Sequence, residues 1–146
     1  MIHDIDIKIK DGKRMARILI VDDDKHIVAI LNELLSIDGH YVEMAYNAND
    51  AFQLASYESF DLILTDILMP SVDGIEFIKA IRQQSSVPII AMSGGRRALT
   101  PLNTIVNKST ADLKLSNALE VGANSILTKP FVRAQLQEAV NTVLTA

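Results

Sequence analysis

The stretch Asp61-Leu-Ile-Leu-Thr-Asp66-Ile-Leu-Met-Pro70 decides the fold. Its apolar first half predicts a buried β-strand, and Pro70 breaks the segment that follows. The strand brings one carboxylate, that of Asp66, to its C-terminal end. In an open α/β sheet, ligands bind beyond that edge.

Two other apolar runs also end in charged residues. Ile18–Val21 is followed by the acids 22–24, and the run 125–128 is followed by Lys129. Because the carboxyl ends of parallel strands meet at one edge of a sheet, we expect these side chains to converge with Asp66. Acids beside a lysine predict a site for a hard divalent cation and a phosphoryl group.

Short apolar runs alternate with stretches of helical periodicity along the chain, which is typical of βα units. The predicted strands are 17–21, 41–45, 61–65, 87–92 and 124–127. They are apolar on both faces, as strands covered by helices on both sides require. We therefore predict an α/β fold with five parallel strands and five helices.

Each predicted helix has an apolar stripe. In the first, the residues Ile27, Ile30, Leu31 and Leu34 stand at i, i+3, i+4 and i+7, and Gly39 follows as a stop. Asn47 is the candidate N-cap of the second helix. The inward-facing residues of the second, third and last helices are predicted to be Ala51, Leu54 and Ala55; Phe77, Ile78 and Ile81; and Leu136, Val140 and Val143.

Composition limits the class of protein. The 146 residues, 49% of them hydrophobic, suffice for one domain with a real core. The absence of cysteine excludes disulfides, thiolate metal sites and cysteine nucleophiles. No apolar run approaches the roughly 18 residues of a membrane span, so we expect a cytoplasmic protein without membrane contact. The formal charge of -4 argues against a nucleic-acid partner, because phosphates attract cationic surfaces.

Two segments depart from the βα alternation. Residues 1–14 are predicted to be an N-terminal extension of a domain that spans 15–146. The extension is expected either to form an edge strand through Ile5, Ile7 and Ile9 or to be disordered. A long insertion is predicted at about 94–110, where glycine, proline and arginine residues spoil a helix. A connection of that length is usually functional or mobile.

The charged residues at the strand ends also have purely structural interpretations. One aspartate of the run 22–24 is enough to cap the next helix, but three adjacent acids repel one another unless a cation offsets them. Asp66 alone fits a turn before Pro70, and Lys129 alone fits an extended surface lysine. Pro130 favours a functional role for Lys129, because the residue before proline is extended and a cis bond there would aim the lysine.

Ser93 and the pair Arg96-Arg97 follow the predicted strand 87–92. The Ser93 hydroxyl either starts the turn at Gly94-Gly95 or donates to a phosphoryl oxygen. Paired arginines most often are solvated loop charges, and contact with an anion is the alternative.

The pattern resembles the receiver domains of two-component response regulators. The resemblance runs from Arg17 to the C-terminus and is carried, in the family's order, by Val21-Asp22-Asp23, Asp66, Met69-Pro70, Asp73-Gly74, Ser93 and Lys129-Pro130-Phe131. It implies a flavodoxin-like, doubly wound, five-stranded parallel sheet of order 2-1-3-4-5 with helices on both faces.

The resemblance also implies a mechanism for a stand-alone phosphoacceptor in a two-component or phosphorelay pathway. Asp66 would accept a phosphoryl group from a histidine kinase or a histidine phosphotransfer protein. The implied Mg²⁺ ligands are Asp23, Asp66, the Leu68 carbonyl and, through water, Asp22; the implied phosphoryl contacts are Lys129 and Ser93. The expected role is that of a signalling domain and not of an enzyme.

Two features depart from the family pattern. Ile126 stands three residues before Lys129, where many receivers carry an aromatic residue, so an aromatic switch is not expected. The stretch from Ser93 to Gly122 is long, so the fourth helix is expected to start near Ala111. Its predicted buried residues are Leu115, Ala118 and Leu119.

No output domain is expected after Ala146. The signal would then pass to an output protein that the sequence does not name, or the phosphoryl group would be passed on. The face formed by the last helices and the last strand is the expected place for partner contact or for a homodimer.

Three other classes fit the sequence less well. A haloacid-dehalogenase-type phosphatase needs an acid two residues after its nucleophile, where this chain has Leu68. A flavodoxin would place its cofactor phosphate against the acidic first loop. A binding module with vestigial phosphorylation would not need the complete set of acids, hydroxyl and lysine.

Overall fold

The computed structural model describes residues 8–10, 13–69, 74–93 and 116–146. Its strands are β1 (Lys8–Lys10), β2 (Lys13–Met15), β3 (Arg17–Val21), β4 (Tyr41–Ala45), β5 (Leu62–Asp66), β6 (Ile89–Ser93) and β7 (Ser125–Thr128). Its helices are α1 (Lys25–Ile37), α2 (Ala48–Tyr57), α3 (Gly74–Arg82), α4, described at 116–121, and α5 (Arg133–Thr145).

Strands β3 to β7 form a parallel core sheet with the order β4-β3-β5-β6-β7. Counted from β3 as the first strand, this is the order 2-1-3-4-5, as predicted. The chain turns back at β3, which has β4 on one side and β5 on the other. Such a reversal opens a crevice beyond the carboxyl ends of the two central strands.

Helices cover both faces of the core sheet. One apolar cluster joins the sheet to α1 and α5 through Ile18, Ile20, Leu62, Leu64, Val28, Leu31, Leu136 and Val140. The other joins it to α2, α3 and α4 through Leu19, Val21, Ile63, Ile89, Ala51, Phe77, Ile78 and Ala118. Successive residues of the central strands β3, β5 and β6 alternate between the two clusters, so these strands are apolar on both faces as predicted. The prediction is wrong for the outer strands β4 and β7, whose residues are mostly exposed or half-buried because each has only one neighbouring strand.

The helix starts follow from local chemistry. The Asp24 side chain accepts hydrogen bonds from the backbone N–H groups of His26 and Ile27, at 3.0 and 3.4 Å, and so caps α1. The Asn47 side chain accepts from the N–H of Asp50 at 2.8 Å and caps α2, as predicted. The buried residues predicted for α3 and α5 are confirmed.

The predicted apolar stripe of α1 is wrong in part. The buried residues are Val28, Leu31 and Leu35, whereas Ile30 is 52% exposed. Each residue of a helix advances by about 100° around the axis, so residue 30 lies about 130° from the centre of the observed buried stripe. A helix on the outside of a sheet buries only one face, so periodicity alone placed the stripe one position too early.

The fourth predicted helix is confirmed only in its described part. Ala118 is buried, but Leu119 is 45% exposed, so its predicted burial is wrong. The predicted start near Ala111 and the residue Leu115 lie outside the described residues, as do the insertion 94–110 and the pair Arg96-Arg97.

The N-terminal segment contains a hairpin. Strands β1 and β2 pair in antiparallel fashion, with Ile9 opposite Arg14, and form a two-stranded sheet separate from the core sheet. Ile9 therefore lies in a strand, but the partner of this strand is β2 and not the edge of the core sheet. Ile5 and Ile7 lie outside the described residues. Within the described ranges, no helix has the length and apolar character needed to cross a bilayer.

Candidate functional site at the carboxyl edge of the sheet

The carboxyl ends of β3, β5, β6 and β7 bring the predicted site residues together. Asp22 directly follows β3, and its N–H donates to the Ala45 carbonyl at 3.1 Å, which continues the pairing with β4. Asp66 and Ser93 are the last residues of β5 and β6. Lys129 directly follows β7, and its N–H donates to the Ser93 carbonyl at 2.7 Å.

Three aspartates form an acidic cluster, defined as Asp22, Asp23 and Asp66. Each offers a carboxylate oxygen, and these oxygens lie within 4.8 Å of one another. Asp22 and Asp66 are buried, whereas Asp23 is exposed. Asp24 does not belong to the cluster, because it caps α1. Helix capping therefore accounts for Asp24, whereas Asp22 and Asp23 belong to the site.

The cationic side chain of Lys129 faces the acidic cluster. Its Nζ lies 2.6 Å from Asp22 Oδ2 and 3.7 Å from Asp66 Oδ1, and its side chain is only 8% exposed. The Lys129–Pro130 peptide bond is cis, the conformation that we expected to aim the lysine. The surface-lysine interpretation of Lys129 is therefore wrong.

The pKa values of the two buried acids are raised. Burial raises the pKa of Asp66 to about 7; the positive charge of Lys129 opposes this shift, and the negative charge of Asp22 adds to it. Burial also raises the pKa of Asp22, and the ion pair with Lys129 lowers it by a smaller amount. One lysine thus only partly compensates the negative charge of the cluster, and a bound cation would stabilise the ionised form of both acids.

Ser93 has an unused hydrogen-bonding group. Its side chain is 1% exposed, and among the described residues its Oγ is a buried polar atom without a hydrogen-bond partner. A buried hydroxyl without a partner costs free energy. This cost would be relieved by an acceptor oxygen placed in the crevice between β5 and β6.

Two contacts beside Asp66 were not found by sequence reasoning. The hydroxyl of buried Thr65 donates to the Asp66 carbonyl at 3.0 Å. The backbone N–H of Leu68 lies 3.4 Å from Asp66 Oδ1, a weak contact that points towards the carboxylate. Thr65 carries no distinguishing signal, because a β-branched residue is expected in any strand.

Residues 18–141 match the family of the response regulator receiver domain. The chain belongs to this family. The predicted role in phosphorylation-based two-component signalling is thereby confirmed for the domain, since receiver domains are signalling domains.

Curated relatives of this receiver domain include transcriptional regulators. It is 34% identical over 138 residues to the probable transcriptional regulator ycf27 of Cyanidium caldarium; the matched region is 94% of this chain and 50% of that protein. It is 32% identical over 130 residues to the transcriptional regulatory protein CpxR of Escherichia coli K12; the matched region is 89% of this chain and 50% of CpxR. The chain spans about half the length of these relatives.

Solved structures confirm the predicted fold. The chemotaxis response regulator CheY4 of Vibrio cholerae is 31% identical, with a TM-score of 0.73 over 88% of this chain and 98% of that one. The receiver domain of the sensor histidine kinase PA1611 from Pseudomonas aeruginosa PAO1 is 28% identical, with a TM-score of 0.73 over 90% and 99%.

The magnesium prediction is supported by the donor atoms of this receiver domain. Mg²⁺ prefers a small number of carboxylate oxygens and keeps several waters, and the acidic cluster offers such oxygens at the mouth of a crevice. The structure of the PA1611 receiver domain has a magnesium ion coordinated in its active-site cleft.

Proposed function

We propose that Asp66 is the phosphoacceptor of this receiver domain. One observation carries the proposal: the Asp66 carboxylate stands at the end of β5 beside a buried lysine and two further carboxylates. A carboxylate in a helix cap or a turn has no need of either neighbour.

The proposed reaction is transfer of a phosphoryl group from phosphohistidine. A carboxylate oxygen of Asp66 forms a bond to phosphorus while the nitrogen–phosphorus bond breaks, and the histidine nitrogen keeps the electron pair of that bond. The nucleophile has to be ionised. With a pKa of about 7 in the metal-free site, Asp66 is only partly ionised at neutral pH.

We assign the metal site to the carboxylates of Asp23 and Asp66, the Leu68 carbonyl and, through water, Asp22. When bound, Mg²⁺ neutralises charge on the transferred phosphoryl group. The protein's own contribution is to hold these oxygens at the sheet edge before the donor arrives. Asp22 and Asp66 are fixed by burial and by Lys129.

Lys129 and Ser93 are the proposed contacts of the phosphoryl oxygens. Lys129 already lies within 4 Å of both buried acids, so a small movement of its Nζ brings it to a new oxygen on Asp66. Ser93 has a free hydroxyl, which would donate to a second oxygen. Because Ser93 directly precedes the insertion predicted at 94–110, its movement would change the surface beyond β6.

For the rest of the protein we propose a cytoplasmic response regulator. Its phosphodonor would be a histidine kinase or a histidine phosphotransfer protein, and its output a protein partner or a second copy. We propose no enzymatic activity beyond self-phosphorylation and no nucleic-acid contact by the described residues. The proposed division is an extension at 1–14 and a receiver domain at 15–146 with the insertion at about 94–110.

The test is phosphorylation of the purified chain by a small acyl phosphate and, separately, by a phosphoramidate, each with Mg²⁺. Intact mass should show one acid-labile phosphoryl group on the wild type and none on Asp66→Asn. Asp24→Asn is the matched control, because asparagine caps a helix as well as aspartate does and the residue lies outside the acidic cluster. Stoichiometric acid-labile phosphate on Asp66→Asn would refute the assignment.

A further inference from the structure

Gly74, the first residue of α3, lies against the backbone that carries Asp66. A Cβ atom on residue 74 would stand 2.4 Å from Ile67 Cα, 2.6 Å from the Asp66 carbonyl oxygen and 3.1 Å from the Ile67 carbonyl carbon. All three are backbone atoms, which cannot rotate away as the end of a side chain can. Any residue other than glycine therefore forces α3 and the Asp66–Ile67 peptide apart.

The glycine is needed for space and not for its backbone conformation. The positive φ angles are those of Gly39 and Gly122 among the described glycines, and Gly74 is not one of them. What position 74 requires is therefore the absence of a side chain.

Neither side of the contact can retreat freely. The Ile67 N–H donates to the Met92 carbonyl at 3.0 Å, and the Gly74 N–H donates to the Ile67 carbonyl at 3.3 Å. The Thr65 hydroxyl holds the Asp66 carbonyl from another direction. On the helix side, Phe77 and Ile78 are buried in the same apolar cluster as Ile67. The strain of an added side chain would fall on the Asp66–Ile67 peptide.

We propose that Gly74 is a positioning residue for the magnesium site and the phosphoacceptor. Its missing side chain lets α3 close on the end of β5 and fixes the Asp66 carboxylate relative to Asp22 and Lys129. The proposal rests on the proposed role of Asp66. Mg²⁺ demands near-ideal octahedral geometry, so a shift of a few tenths of an ångström in one ligand weakens binding.

The experiment compares Gly74→Ala with Gly122→Ala. Gly122 is a matched control, because a Cβ there would stand 2.8 Å from the Arg82 side chain, with a φ of +124°, yet the residue follows α4 and lies outside the acidic cluster. Both variants are expected to lose stability in urea. Titration calorimetry should show Mg²⁺ affinity reduced about tenfold or more in Gly74→Ala and changed less than twofold in Gly122→Ala.

Initial rates of phosphorylation give a second measurement. At subsaturating Mg²⁺, Gly74→Ala should be slowed in proportion to its lost affinity, whereas Gly122→Ala should match the wild type. Unchanged Mg²⁺ affinity in a folded Gly74→Ala protein would overturn the proposal. Should the wild type take up no phosphoryl group, the proposed function fails, but the affinities still decide the role of Gly74.

A readout on the wild type covers the case in which Gly74→Ala does not fold. During an Mg²⁺ titration, the amide resonance of Gly74 should shift with the dissociation constant found by calorimetry, while that of Gly122 stays in place. A Gly74 resonance that does not respond to Mg²⁺ would overturn the proposal.

Discussion

Asp66 is placed where its own charge is unfavourable. Asp66 is 5% exposed and stands beside Asp22, and in the part of the chain that the structure describes one lysine pairs with both acids. If Asp66 is the phosphoacceptor, as proposed, the site lowers the stability of the metal-free protein in exchange for a carboxylate held next to its proposed metal ligands. Functional sites often carry such strain.

The first prediction concerns the stability of Asp66→Asn without metal. The pKa of Asp66, about 7 in the folded state, lies above its ordinary value of 3.8, so the folded state binds a proton more tightly than the unfolded state does. The resulting destabilisation is absent below pH 3.8 and grows as the pH rises towards 7. Asparagine removes it. We expect a gain in unfolding free energy of about 2 kcal/mol or more at pH 8, shrinking towards pH 4.

Urea denaturation in a chelating buffer at several pH values measures this gain. Asp50→Asn, on the exposed surface of α2, serves as the control for removal of one carboxylate. A variant that is no more stable than the wild type at pH 8 would contradict the raised pKa of Asp66.

The second prediction concerns Leu68 and the lifetime of the phosphorylated form. The residue stands two positions after Asp66, and its partly buried side chain packs against the apolar cluster beneath α3. A leucine side chain cannot orient a water molecule for attack on the acyl phosphate, and positioning accounts for a large part of such rates. Leu68→Asn should therefore lose its phosphoryl group on the order of tenfold faster.

The measurement follows acid-labile phosphate on purified phosphoprotein in Mg²⁺. Leu68→Ala separates orientation of water from removal of the leucine side chain, because alanine lacks most of that side chain and offers no hydrogen bond. Equal decay of Leu68→Asn and Leu68→Ala would show that orientation of water is not the limiting factor.

At the scale of elements, Arg82 joins the end of α3 to the turn before β7. Its guanidinium donates to the Gly122 carbonyl at 2.9 Å, to Asn124 Oδ1 at 2.8 Å and to the Ser85 carbonyl at 3.2 Å. Asn124 Oδ1 also accepts a hydrogen bond from the Ile89 N–H at 2.9 Å. The Asn124 side chain, which precedes β7, therefore contacts both Arg82 at the end of α3 and the start of β6. The amino edge of the sheet is thus held by a polar network and not only by packing.

The third prediction is that Arg82→Met lowers the unfolding free energy by about 2 kcal/mol, because hydrogen bonds of a charged group contribute about 1.5 to 3 kcal/mol. Lys79→Met is the control, since the exposed pair of Lys79 with Glu76 should contribute less than about 1 kcal/mol. Both variants should still accept one phosphoryl group. A cost for Arg82→Met no larger than that of Lys79→Met would show that this network does not stabilise the fold.

At the scale of the whole molecule, metal binding and folding stability are linked. The acidic cluster is assembled from β3 and β5, which meet only in the folded sheet, so Mg²⁺ binds the folded state in preference to the unfolded one. The cluster's repulsion in the metal-free state becomes a source of stabilisation once the cation is present.

The fourth prediction is that Mg²⁺ at one hundred times its dissociation constant raises the unfolding free energy by about 2.7 kcal/mol. Denaturation in sodium chloride of matched ionic strength separates binding from charge screening. Asp23→Asn should lose most of the increase while keeping its fold, because Asp23 is exposed. An equal effect of sodium chloride would rule out a specific site.

The sequence by itself predicted the elements of the core sheet and the side chains that meet at its carboxyl edge. The bounds of the five core-sheet strands agree with the prediction within two residues, because apolar runs, caps such as Asn47 and stops such as Gly39 act through neighbours along the chain. The charged and polar residues at the ends of β3, β5, β6 and β7 could be grouped from the sequence because a parallel sheet places every carboxyl end at one edge.

Only the tertiary structure decided what depends on neighbours distant in the sequence. Periodicity did not show that Ile30 faces outward or that Leu119 is exposed, because the buried face of a helix is chosen by the sheet beneath it. Nor did any local pattern show the contact of Gly74 with the Asp66 backbone or the raised pKa of Asp66. Burial and close approach are properties of the packed chain, since they arise only when segments from different parts of the sequence exclude water together.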